Sequence, residues 1–128
     1  MSAREHFPTL AVPVGDPAGI GPEIVTAALS RMDVRAVARI LAIGPSSLRP
    51  DSVPLVIDPE EAGKSPSAWL ATESPGEWSM GEASAACGSA ALAALRAGHD
   101  LALTGAVDGL VTGPISKEAF HLAGERVE

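Results

Sequence analysis

The chain contains no tyrosine, and two tryptophans and two phenylalanines make up its entire aromatic content of 3%. Its core must therefore be aliphatic. A hydrophobic content of 46% over 128 residues is enough for one globular domain, which would bury about two-thirds of its unfolded surface. Cysteine is nearly absent too. The single Cys87 excludes an intramolecular disulfide, and its Ala-Ala-Cys-Gly setting reads as a helix interior, hence a buried thiol in a reducing compartment. Cations are scarce: nine Lys plus Arg against sixteen Asp plus Glu give a formal charge of −7. That balance disfavours nucleic acid and anionic membranes as partners, because phosphate neutralisation needs clustered cations. A small anionic substrate remains compatible, since a local donor-rich pocket attracts an anion against the sign of the whole molecule. No apolar run approaches the roughly eighteen residues of a membrane span, and the Arg4-Glu5-His6 start lacks the apolar stretch of a secretory leader. A cytoplasmic location is expected.

Glycine and proline, by contrast, are plentiful at thirteen and eleven, and they punctuate an alternating pattern. Residues 10–14 form an apolar run that reads as a first strand. Residues 22–32 carry Ile24, Val25, Ala28 and Leu29 on one helical face, and residues 37–43 supply a second strand ending at Gly44-Pro45. Short connections between strand, helix and strand imply a right-handed crossover and parallel pairing. Six of the eleven prolines fall between residues 45 and 75, so a segment of about 45–80 is expected to be irregular or edge structure. It reads as a linker, lid or arm, with short strands at 53–57 and 69–72. Trp69 and Trp78 read as packing anchors, since no basic residues surround them. Residues 82–104 form one long helix rich in Ala and Leu, in which Gly88 and Gly98 each cost about 1 kcal/mol relative to Ala and point to close approach of a neighbouring element. A third strand at 107–111 and a helix from Lys117 to about Leu122 complete an α/β pattern, a largely parallel sheet with flanking helices.

Two strand-to-helix turns carry the chemistry. Gly15-Asp16-Pro17-Ala18-Gly19-Ile20-Gly21-Pro22-Glu23-Ile24 follows the first strand, with Pro22 suited to a first helical position and Glu23 to the positive helix end. The spacing is not Gly-x-Gly-x-x-Gly, and no Gly-Lys-Ser/Thr follows, so neither the Rossmann fingerprint nor an NTPase is supported. The turn reads either as an anion or cofactor loop using Asp16 and Gly19, or as a tight connection in which Asp16 bonds the turn's own amides. Thr112-Gly113-Pro114-Ile115-Ser116-Lys117-Glu118 is the second turn, and Ser116 is its helix cap. Lys117 then falls in the first helical turn, where a cation opposes the helix dipole by about 0.3–1 kcal/mol. That placement suggests an anion nearby, the alternative being a solvated lysine paired with Glu118. In open α/β sheets ligands collect at the carboxyl ends of strands, and both turns lie at such ends. His6, His99 and His121 have no metal-site spacing, so no metal ligand is assigned.

The first turn resembles the N-terminal signature of the 4-hydroxythreonine-4-phosphate dehydrogenases of pyridoxal phosphate biosynthesis. Val107-Asp108-Gly109-Leu110-Val111-Thr112-Gly113-Pro114-Ile115-Ser116-Lys117-Glu118-Ala119 resembles their second signature, in which a strand delivers Thr-Ala/Gly-Pro and a following Lys. Met80-Gly81-Glu82, leading into the Ala-rich helix with Gly88, matches the segment between them. Order and spacing agree from about Leu10 to Gly124. The resemblance implies that residues 1–128 are the N-terminal portion of a homodimeric, two-domain α/β enzyme with the fold of isocitrate and isopropylmalate dehydrogenases. Such an enzyme oxidises 4-phosphooxy-threonine or a related phosphorylated hydroxy acid with NAD, with decarboxylation, and a divalent metal (Zn, Mg or similar) polarises the alcohol oxygen. On this resemblance Lys117 is the candidate catalytic residue, as a phosphate or carboxylate contact or a proton-transfer group. Asp16, Gly19 and Thr112 are the candidate substrate or cofactor contacts. The resemblance also implies metal-binding histidines after the second signature, the first in a Gly-His-Thr motif beyond Glu128. Catalysis by these 128 residues alone is therefore not expected. A second reading keeps the chemistry and changes the substrate to a four-carbon sugar acid phosphate or a cyclic diol carboxylate. A third is a non-catalytic remnant or dimerisation module.

Overall fold

Five parallel strands carry the fold: β1 (Thr9–Pro13), β2 (Arg39–Pro45), β3 (Leu55–Val56), β4 (Ser67–Thr72) and β5 (Gly109–Leu110), in spatial order β3-β4-β2-β1-β5. Helices α1 (Gly21–Leu29), α2 (Met32–Arg35), α3 (Ala85–Leu103) and α4 (Lys117–Leu122) connect them. The computed structural model describes residues 7–62, 65–72 and 77–124, so His6 lies outside the described residues. None of the described helices is long and apolar enough to cross a membrane.

Strand alternation sorts the core into two faces. Val12, Ile40, Ala42 and Trp69 pack under Val25 and Leu29 of α1, whereas Ala11, Leu41, Ile43 and Ala68 pack under Ala94, Ala97 and Leu101 of α3. Both faces are covered, which accounts for the near-continuous apolar character of β2. The β1 to β2 crossover runs on the α1 face, and the chain returns from β4 to β5 on the opposite face through α3. Strand order therefore reverses at β1, creating a switch point at the carboxyl ends of β1 and β5.

Several boundaries differ from the sequence pattern for local reasons. Helix α1 stops at Leu29 because the Ser30 hydroxyl donates to the Ala27 carbonyl at 3.0 Å, and Arg31 then turns extended before the short α2. Helix α3 begins at Ala85, where the Ser84 hydroxyl accepts the Cys87 N–H at 3.1 Å, so Cys87 sits in the first turn rather than in the helix interior. The Pro-rich segment supplies β3 at the sheet edge and also β4, an inner strand. Trp69 on β4 is fully buried, its Nε1 donating to the Gly44 carbonyl at 3.1 Å. Gly98 lies against Leu110 and Pro13, bringing α3 close to the sheet, and a Cβ on Gly88 would overlap the Ala119 carbonyl, so α4 docks directly on α3.

Candidate functional site

At the switch point the two signature turns are joined backbone to backbone. The Gly113 N–H donates to the Pro13 carbonyl at 2.8 Å, and the Asp16 N–H donates to the Pro114 carbonyl at 2.9 Å. Gly15 has φ +81°, a conformation that favours glycine, and a Cβ there would overlap the Pro114 carbonyl oxygen. Asp16 is buried and holds its own turn: Oδ1 accepts the Ala18 N–H at 2.9 Å, and its carbonyl accepts the Gly19 N–H at 3.1 Å. A third segment closes the side, the Gly81 N–H donating to the Ala18 carbonyl at 2.8 Å. On α4 the Ser116 hydroxyl accepts the Ala119 N–H at 3.1 Å.

These pieces enclose an open hollow of about 230 Å³ lined by Asp16, Gly19, Glu82, Ser116 and Glu118. Three of those side chains are carboxylates and none is cationic. Lys117 is exposed and does not line the hollow, although the residues on either side of it do. Thr112 is not brought to this hollow: it borders a separate apolar groove of about 330 Å³, beside Leu10, Val12, Ile24 and Val111. An anion in the first hollow would meet like charge, so its counter-charge must come from outside the lining. Cys87 is buried near the hollow, its Sγ 4.0 Å from the Glu82 carbonyl oxygen. Burial pushes its thiol up, and the neighbouring Asp16 carboxylate adds to the shift, so the sulfur stays protonated and unreactive.

His99 and His121 are exposed, and among the described residues no group of three or more His, Cys, Asp and Glu is placed to hold a metal. Glu82 and Glu118 are members of the lining that sequence reasoning did not single out. Met80-Gly81-Glu82 carried a signal, as the segment between the two signatures, but its hydrogen bond to Ala18 spans more than sixty residues and has no local trace.

The family model described as "Pyridoxal phosphate biosynthetic protein PdxA" matches residues 23–128. A 4-hydroxythreonine-4-phosphate dehydrogenase from Trichlorobacter lovleyi is 35% identical over 91% of this chain and 39% of its own length. A D-threonate 4-phosphate dehydrogenase from Bordetella bronchiseptica is likewise 35% identical, over 94% of this chain and 38% of its own. Among solved structures, a 4-hydroxythreonine-4-phosphate dehydrogenase from Burkholderia phymatum superposes with a TM-score of 0.81 at 27% identity, covering 94% of this chain and 40% of that one. The chain thus spans about two-fifths of the length of the relatives it matches.

Proposed function

The chain belongs to the PdxA family of pyridoxal phosphate biosynthetic proteins, and from that premise we propose that it forms the N-terminal portion of a dehydrogenase for a phosphorylated hydroxy acid. The reaction is oxidation of a secondary alcohol, with 4-hydroxythreonine 4-phosphate or D-threonate 4-phosphate as substrate; homologues named for the two are equally similar to this chain. In the complete enzyme NAD would supply the hydride acceptor. The observation that carries the reading is the backbone weld between the two signature turns at the switch point, where Asp16 and Gly19 share a hollow with Ser116 and Glu118.

Within that reading Asp16 fixes the first turn and presents the Gly19 backbone to the ligand. Lys117 reaches a phosphate or carboxylate from the rim, or takes up the alcohol proton, whereas Thr112, in the separate apolar groove, is not a contact of a ligand in this hollow. The acidic lining of the hollow does not complement a pyrophosphate, and the described residues contain no converging donor set for a metal. The side chains lining this hollow therefore hold neither group by themselves. The dimer, the decarboxylation and a cytoplasmic location belong to the same proposal.

A chimera tests it: these 128 residues replace the matching part of the Trichlorobacter lovleyi relative, and NADH formation is followed with each substrate. Turnover that falls at least tenfold in Lys117→Ala supports the reading. A folded chimera inactive on both substrates sinks it, and activity within a few-fold of the parent chimera in Lys117→Ala removes that residue from the mechanism.

A further inference from the structure

A second hollow, of about 280 Å³, opens between the C-terminal turn of α1, the loop before β3 and the start of β4, at the end of the sheet opposite the switch point. Its polar lining consists of the hydroxyls of Thr26, Ser30, Ser52 and Ser67 and the guanidinium of Arg35, and no carboxylate contributes. The contrast with the acidic hollow at the other end is a difference in chemistry, not only in place.

Ser67 is the informative member. It is 6% exposed and lies on the α1 face of the sheet, two residues before the buried Trp69. Its hydroxyl makes no hydrogen bond among the described residues, and its oxygen is not one of the side-chain atoms closed off from solvent, so it opens into the hollow. A hydroxyl that opens into the hollow can exchange solvent for a ligand oxygen there. Arg35 is half-buried and spends one N–H on the Leu29 carbonyl at 3.4 Å, offsetting the negative end of α1. That single bond leaves most of its five-donor fork uncommitted. Nearby charge does not compete for it: Asp33 is paired with Arg31 at 2.8 Å, and Asp51 does not line the hollow. The wall is also held in place, since Arg49 donates to the carbonyls of Val53 at 2.8 Å and Pro50 at 3.3 Å. The Ser30 hydroxyl already donates to Ala27 and is left out of the donor set.

We propose that this hollow binds a tetrahedral oxyanion, either inorganic phosphate or the phosphoryl group of a small phosphate monoester, with Arg35 as its charge partner and Thr26, Ser52 and Ser67 as hydroxyl donors. Guanidinium supplies the charge-assisted bonds, and the hydroxyls rotate to complete the shell. The site lies at the far end of the sheet from Asp16, so its failure and that of the dehydrogenase reading are separate results.

The test is an amide-resolved NMR titration of the 128-residue chain with inorganic phosphate and, in parallel, glycerol 3-phosphate, against sodium chloride at matched ionic strength. Saturable shifts at Thr26, Arg35, Ser52 and Ser67 are expected with the phosphates and not with chloride. Arg35→Met should weaken binding about ten- to a hundredfold and Ser67→Ala about two- to tenfold, with the remaining spectrum unchanged; Arg35→Lys, which keeps the charge, should retain part of the affinity. Tighter binding of the monoester identifies a phosphorylated metabolite as the ligand, and equal affinity identifies inorganic phosphate. Shifts that fail to saturate, that chloride reproduces, or that persist unchanged in Arg35→Met overturn the proposal.

Discussion

Gly15 and Gly81 both have positive φ, +81° and +80°, yet they differ in what surrounds them. A methyl on Gly15 collides with the Pro114 carbonyl, whereas one on Gly81 meets nothing within 4 Å among the described residues. Gly81→Ala should therefore cost only the left-handed strain, about 1 kcal/mol. Gly15→Ala should add overpacking and cost about 2–4 kcal/mol. Urea midpoints of the two variants check this, and equal losses would mean that the weld between the turns contributes nothing. Cys87 supplies a second test at the same scale. Its folded pKa is raised above the ordinary 9.0, so the folded chain holds a proton that the unfolded chain releases. Stability is then full below pH 9.0 and declines as pH rises past it. Between pH 8 and pH 10 the wild type should lose more stability than Cys87→Ala, and a thiol reagent should label the native chain only as fast as it unfolds. Prompt labelling at neutral pH would contradict the burial.

Helix α4 is six residues long, too short to persist without its cap and its dock. Ser116→Ala removes the bond to the Ala119 N–H and should cost about 0.5–2 kcal/mol. Gly88→Ala places a methyl where the Ala119 carbonyl packs, so it should displace α4 and expose Phe120 while the amide spectra of β1, β2 and β4 stay in place. Protection of the Phe120 amide against exchange separates this from general loosening of the fold. What made these elements legible in the sequence was local: the Ser116 cap, the apolar runs of the parallel strands and the small residues of α3 each leave a trace in neighbouring positions. Gly88 and Gly98 could be read as close-approach sites for the same reason, since a glycine inside a helix is costly enough to need a cause. The site was less legible. Asp16, Gly19 and Ser116 come together only through the pairing of β1 with β5, about a hundred residues apart. The same pairing sends Thr112 to a different groove, and no spacing rule conveys which way a residue faces after the strand ends. The inner position of β4 was hidden by the prolines that precede it, Pro59 and Pro66, which lie outside the strand and leave the ladder intact.

At the scale of the whole molecule the sheet is covered unevenly. Strand β5 is an edge strand, and on its α1 side the apolar groove of about 330 Å³ is left open, with Ile24 at 49% and Val111 at 50% exposure. Apolar surface beside an unpaired strand edge favours association. The formal charge of −7 resists it, and added salt weakens that repulsion. Sedimentation velocity should accordingly show a weight-average mass that rises with protein concentration, and more steeply at higher salt. Val111→Lys places a charge on the groove at the edge and should restore the monomer without altering the fold, because the Val111 side chain is half in solvent already. If the wild-type chain sediments as a monomer at every concentration and salt, the open groove does not drive self-association. The homodimer proposed for the complete enzyme would then have to rest on surfaces other than this groove.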